Sequence, residues 1–101
     1  MKIYWSPLAV DRLENIFEYI SKEDEKAAYN LIEKIFKKVE SLIEFPKIGR
    51  VVPELNKNQI REVFESNYRI IYRLESHKIF ILTIRNFKQL LNKKDLSQRK
   101  E

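Results

Sequence analysis

Arg69 and Arg73 stand four residues apart in the segment Ile60–Arg73, which reads IREVFESNYRIIYR. Positions i and i+4 share a face in any regular strand, so their two guanidinium groups are neighbours. Like charges side by side call for an anion between them. One candidate is Glu62, a diagonal neighbour of both arginines if the segment folds into a hairpin. The other is a phosphate, which a guanidinium grips through two parallel N–H donors. Tyr68 and Tyr72 interleave with these cations and supply aromatic surface for bases. Arg50, directly after Gly49, is placed to reach a ligand. Arg61 lies on the preceding strand. Arg85 ends the last strand, and Lys88, Lys93 and Lys94 follow it as an extension of the basic surface or as a solvated tail.

Other chemistries are poorly served. The chain has no cysteine, so it offers neither a disulfide framework nor a thiolate metal site. His77 is the single histidine, which excludes a two-histidine metal site. It falls in an expected turn, as a catalytic base or an ordinary turn residue. No nucleophile-elbow pattern accompanies it, so no serine triad emerges. Gly-rich phosphate loops and zinc-finger spacings are also missing, and no cofactor or metal is implied.

The elements that position these residues are legible from periodicity. Lys2–Trp5 is rich in strand formers. Ser6-Pro7 supplies a helix cap and a favoured first helical residue. Leu13, Ile16, Phe17 and Ile20 then make one apolar stripe, with Asp11, Arg12, Glu14 and Glu18 on the wetter side. After the polar joint Ser21–Asp24, a second helix over about 25–44 carries Ala28, Leu31, Ile32, Ile35, Val39 and Leu42. So short a joint implies an antiparallel helical hairpin. Phe45-Pro46 ends it. Residues 47–59 read as a loop in which Gly49 serves a turn of positive φ. Three strands follow at 60–65, 68–74 and 78–85, joined by tight turns at Ser66-Asn67 and 75–77. A two-residue turn sets Phe64 opposite Arg69 and Glu62 opposite Ile71.

The order βααβββ is an α+β domain. Two helices cover one face of a four-stranded sheet, and the other face is left wet, partnered or functional. Residues 1–91 form the single expected domain, and 92–101 a polar tail, disordered or marginally helical.

The 101 residues carry a net charge of +5. Residues 1–45 hold 7 Lys/Arg against 9 Asp/Glu, whereas residues 46–101 hold 13 against 6. The basic half suits nucleic acid or an acidic protein. No apolar run has the length of a membrane span, and the start lacks the apolar core of a signal peptide. A cytoplasmic protein with no membrane partner is expected.

The sequence also resembles the RelE/ParE superfamily of bacterial toxin–antitoxin toxins. The resemblance rests on Tyr4-Trp5-Ser6-Pro7 leading into Ala9 and Leu13, the helical hairpin, and Pro46 with Gly49-Arg50 and Val52-Pro53-Glu54-Leu55. Ile60-Arg61-Glu62, Tyr68–Arg73 and the strand Ile79–Arg85 complete it. It spans nearly the whole chain, and the order and spacing of the pieces are its specific part. It implies a small sheet flanked by an N-terminal helical hairpin, encoded beside an antitoxin that wraps and neutralises the toxin.

Two activities follow from the resemblance. RelE-like members cleave mRNA in the ribosomal A site without metal, and ParE-like members block DNA gyrase. Cleavage by a ribose 2′-OH needs a base, an acid and a cation on the phosphorane. Arg69 matches the motif arginine of the nucleases, with Glu62 or His77 as the base. The nucleases place lysines where this chain has Ile60, Arg61 and Glu62. After the last strand it has Asn86-Phe87-Lys88, and no tyrosine follows Tyr72. The resemblance therefore leans to gyrase inhibition. There Arg50, Arg61, Arg69, Tyr72, Arg73, Arg85 and Lys88 form a target-binding surface. A ribosome-dependent nuclease and a non-toxic nucleic-acid-binding module are the alternatives. On either toxin reading, Arg69→Ala is expected to abolish toxicity with the fold intact.

Overall fold

The computed structural model describes residues 1–87, 91 and 93–97. The chain runs through β1 (Lys2–Trp5), α1 (Pro7–Ser21) and α2 (Glu25–Glu44) into β2 (Arg50–Val51), β3 (Ile60–Glu65), β4 (Tyr68–Glu75) and β5 (Lys78–Asn86), and then α3 (Lys93–Leu96). Ser6 caps α1, its Oγ accepting the Ala9 N–H at 2.9 Å. Pro7 takes the first turn, where a missing N–H costs nothing. Asp24 caps α2 in the same way, accepting from the Ala27 N–H at 3.0 Å.

The strands form one sheet in the order β1-β5-β4-β3-β2. β1 runs parallel to β5, and the other pairs are antiparallel. The β3–β4 register is the expected one, with Phe64 opposite Arg69 and Glu62 opposite Ile71. Ser66 turns the chain with φ of 53°. The expected order needs a correction: residues 47–59 are not all loop. Arg50 and Val51 pair with Glu62 and Arg61 as a fifth strand. Two residues are too few for alternation to reveal a strand, and this one exists because β3 offers it an edge.

Both helices pack on one face. Leu13, Ile35, Val39 and Leu42 meet Val63, Ile70, Tyr72, Ile79, Ile81 and Ile84 there. A fully buried aliphatic side chain of this kind contributes about 1.5–3 kcal/mol. The opposite face is not left open. Val52, Ile60, Ile71, Phe80 and Leu82 form a second cluster, against which Tyr4, Leu55, Leu91 and Leu96 pack. The chain thus covers part of its second face with the segment after β2 and with residues from its C-terminal end.

A β-bulge decides which side chains reach that face. Ile71 lies opposite Thr83 and Tyr72 opposite Ile81, so Leu82 has no counterpart on β4. Its carbonyl accepts the Ser6 hydroxyl at 2.7 Å. The extra residue switches the alternation of β5. Ile81 and Ile84 both face the helices, and Thr83 and Arg85 turn to the second face, where Arg85 stands opposite Arg69.

Candidate functional site

Tyr72 anchors the site from beneath. It is wholly buried. Its hydroxyl donates to the Pro46 carbonyl at 2.8 Å and accepts the Gly49 N–H at 3.0 Å. The loop after α2 is thereby tied to the centre of the sheet, and burial raises the phenol pKa. Gly49 is required for close approach. A Cβ there would lie 2.6 Å from the Glu62 carbonyl oxygen and 2.6 Å from Tyr72 Oη. The expectation of a positive-φ turn at Gly49 is wrong, because its φ is not positive. Arg61 fastens the same loop, donating to Gly49 O at 2.9 Å, Asn58 O at 3.0 Å and Asn58 Oδ1 at 2.6 Å.

On this frame sits a chain of alternating charges. Glu62, only 1% exposed, accepts from Arg50 Nε at 2.7 Å and from Arg69 Nε at 2.6 Å, one carboxylate oxygen to each. The two outer nitrogens of Arg69 meet both oxygens of Glu54 at 2.9 Å. Arg69 is 4% exposed, so its charge is matched inside the protein by two carboxylates. Its bonds to Glu54, and then to Glu62, raise its pKa above the ordinary value. Bonding to Arg69 in turn holds the Glu54 carboxyl down at about 2.

The accessible end of the chain of charges is Arg50. Its side chain is 59% exposed. Its guanidinium carbon lies 5.1 Å from the centroid of Phe64, itself 40% exposed. Beside them runs a groove of about 340 Å³ floored by Gly49, Glu62 and Val63 and walled by Lys38 and Ser41 of α2. A cation, an aromatic ring and a groove side by side suit a protein or nucleic-acid contact, with the buried ion pairs holding Arg50 in place. A more apolar hollow of about 610 Å³, at Met1, Phe45, Ile48 and Leu74, does not include these charged groups.

Residues 3–91 match the family model described as "ParE toxin of type II toxin-antitoxin system, parDE". The chain belongs to this family. It is also similar to the Sinorhizobium fredii protein named "Putative toxin Y4kP", with 32% identity over 83 residues, covering 82% of this chain and 84% of the relative. Among solved structures it is similar to a chain of "Chromosomal ParDE TA system from P. aeruginosa". The TM-score is 0.69 at 20% identity, over 85% of this chain and 95% of the other, which is a likeness of fold. The RelE/ParE resemblance read from the sequence is thus established, and the chain is a ParE-type toxin of a type II toxin–antitoxin system.

The residues singled out from sequence occupy very different places in this ParE-family toxin. Glu62 and Arg69 come together. His77 sits exposed in the turn after β4, six strand positions and more from Arg69, about 20 Å along the sheet. It does not join them. Tyr72 faces the helices and presents no surface to a target. Arg61 is spent on its own loops. Arg73 turns away from Glu62, to Glu75 at 3.3 Å and to the Phe80 ring at 5.2 Å. Arg85 points to Asp95 at 3.8 Å. Lys88 lies outside the described residues.

Four residues with a part in these clusters escaped sequence reasoning: Glu54, Phe64, Arg12 and Asp95. A Glu one residue past a proline in a loop carries no periodic signal. Arg12 looked like helix surface because its partner, Asp95, is 83 positions away in the sequence.

Proposed function

We propose that this ParE-family toxin arrests growth by binding DNA gyrase and blocking it, and that a cognate antitoxin neutralises it. The observation that carries this reading is the closure of Arg69. A cation that stabilises a phosphorane must face its substrate. Here the guanidinium is enclosed, with Glu62 on one edge and Glu54 on the other. Glu62, the acid–base candidate beside it, is buried with one carboxylate oxygen engaged by Arg50 and the other by Arg69, so it presents neither oxygen to a substrate. Inhibition by binding needs no acid–base pair. It needs an exposed anchor, and Arg50 with Phe64 supplies one.

The test pairs two assays on the purified protein. Supercoiling of relaxed plasmid by gyrase should fall with added toxin, while mRNA on programmed ribosomes stays whole. Cut mRNA with undisturbed supercoiling would overturn the reading. Phe64→Ala should weaken inhibition by about thirtyfold, the loss expected of an interface anchor worth about 2 kcal/mol. Its melting temperature should stay within a few degrees of the parent, since Phe64, at 40% exposure, belongs to neither buried cluster. For the partner, co-expression of the adjacent small reading frame should restore growth.

A further inference from the structure

Asp95 is wholly buried, although it belongs to a single helical turn near the end of the chain. Its carboxylate accepts the Thr83 hydroxyl at 3.0 Å. It also pairs with Arg12 of α1 and lies 3.8 Å from Arg85 Nε of β5. Arg12 and Arg85 are themselves mostly covered, their side chains 16% and 20% exposed. Two guanidinium groups from different elements therefore converge in a low-dielectric site, which is costly without an anion. Burial pushes the Arg12 pKa down; Asp95 opposes that and Arg85 adds to it. The site exists because the bulge in β5 turns Thr83 and Arg85 to the second face.

The segment that carries the anion is short. One turn of helix has no stability of its own. Among the described residues, Leu91 and Leu96 pack half-buried against the cluster of Val52, Ile71, Phe80 and Leu82, and the Leu91 N–H donates to Glu54 Oε2 at 3.3 Å. A cationic pocket beside an apolar strip, filled by a carboxylate from a single local turn of helix, has the properties of a binding site occupied in cis.

We propose that Arg12, Thr83 and Arg85 form a carboxylate-binding pocket, filled in the free protein by Asp95, which an acidic segment of a partner protein flanked by aliphatic residues takes over. The pattern of the resident, aliphatic at 91, acidic at 95 and aliphatic at 96, states the chemistry that the pocket reads. The pocket and the Arg50–Phe64 anchor share no residue, so this inference stands whether or not gyrase is the target.

The test uses the full chain with Asp95→Asn, which keeps the side-chain shape and removes the charge. A capped peptide of the sequence Leu-Asn-Lys-Lys-Asp-Leu-Ser is titrated in, and the arginine side-chain N–H resonances of Arg12 and Arg85 are followed by NMR. The peptide should shift both resonances. It should bind the variant at least tenfold more tightly than the unaltered chain, where the tethered resident competes at an effective concentration on the order of millimolar. The same peptide with Asn in place of its Asp should bind at least tenfold more weakly. Should D95N not fold, Leu96→Ala in the full chain keeps the carboxylate, weakens the apolar half of the lock and serves as host. No shift at Arg12 and Arg85 in either host, or equal binding of the Asp and Asn peptides, would refute the proposal.

Discussion

Arg69→Ala tests whether the motif arginine is a reagent or a structural tie. Arg69 donates one bond to Glu62 and two to Glu54. Removing it leaves Glu62, whose side chain has no exposure, with its ion pair to Arg50, an arginine that is itself 59% exposed. Breaking a buried pair by deleting one partner costs about 3–5 kcal/mol, because the other charge is stranded. Glu54 is a quarter exposed and rehydrates, so its lost pairing adds no more than about 1 kcal/mol. The expected loss, about 3–5 kcal/mol, is a large share of the roughly 5–15 kcal/mol that holds a small domain together. At about 4–8 °C per kcal/mol, the melting temperature should fall by roughly 12–40 °C. Urea unfolding and thermal circular dichroism on the purified variant measure this directly. Replacing Arg69 and Glu62 together by leucine should cost less than the sum of the single changes, since no charge is stranded. A stability within about 1 kcal/mol of the parent for Arg69→Ala would refute the structural account and return Arg69 to the list of reactive groups. The sequence-based expectation of an intact fold is thus replaced: loss of toxicity in this variant reports on catalysis only once folding has been measured.

Gly49→Ala should destabilise by about 1–3 kcal/mol, the usual cost of forcing an extra carbon into a packed site. The new Cβ meets a backbone carbonyl as well as Tyr72 Oη, and that outweighs the roughly 0.4–1 kcal/mol that losing a glycine gains through the unfolded chain. A variant as stable as the parent would show that the loop can move aside. Glu54 makes stability pH-dependent: its folded pKa of about 2 lies below the unfolded 4.5. Its contribution is therefore complete above pH 4.5 and drains away as pH falls toward 2. With solvent screening at a quarter-exposed carboxylate, this amounts to about 1 kcal/mol. Urea midpoints at several pH values should fall less steeply in this window for Glu54→Gln, and equal slopes would remove Glu54 from the account.

Much of the architecture follows from local chemistry. Ser6-Pro7 and Asp24 start the two helices, Pro46 limits the second, and alternation with a two-residue turn sets the β3–β4 register. Each signal lies within a few residues of its effect, as does the pairing of Glu62 with Arg69 across one turn. Elsewhere, contacts between distant parts of the chain decide the outcome. Glu54 becomes the second counterion of Arg69 because a loop folds over the sheet, and β2 forms because β3 offers an edge. Gly49 answers to a tyrosine 23 residues away. The bulge at Leu82 reverses the facing that strict alternation assigns to Thr83 and Arg85, and so assembles the Asp95 pocket. The residue types were visible from the start. Whether an arginine grips a target, a loop or a buried carboxylate depends on which backbone segment packs over it, and periodicity does not encode that.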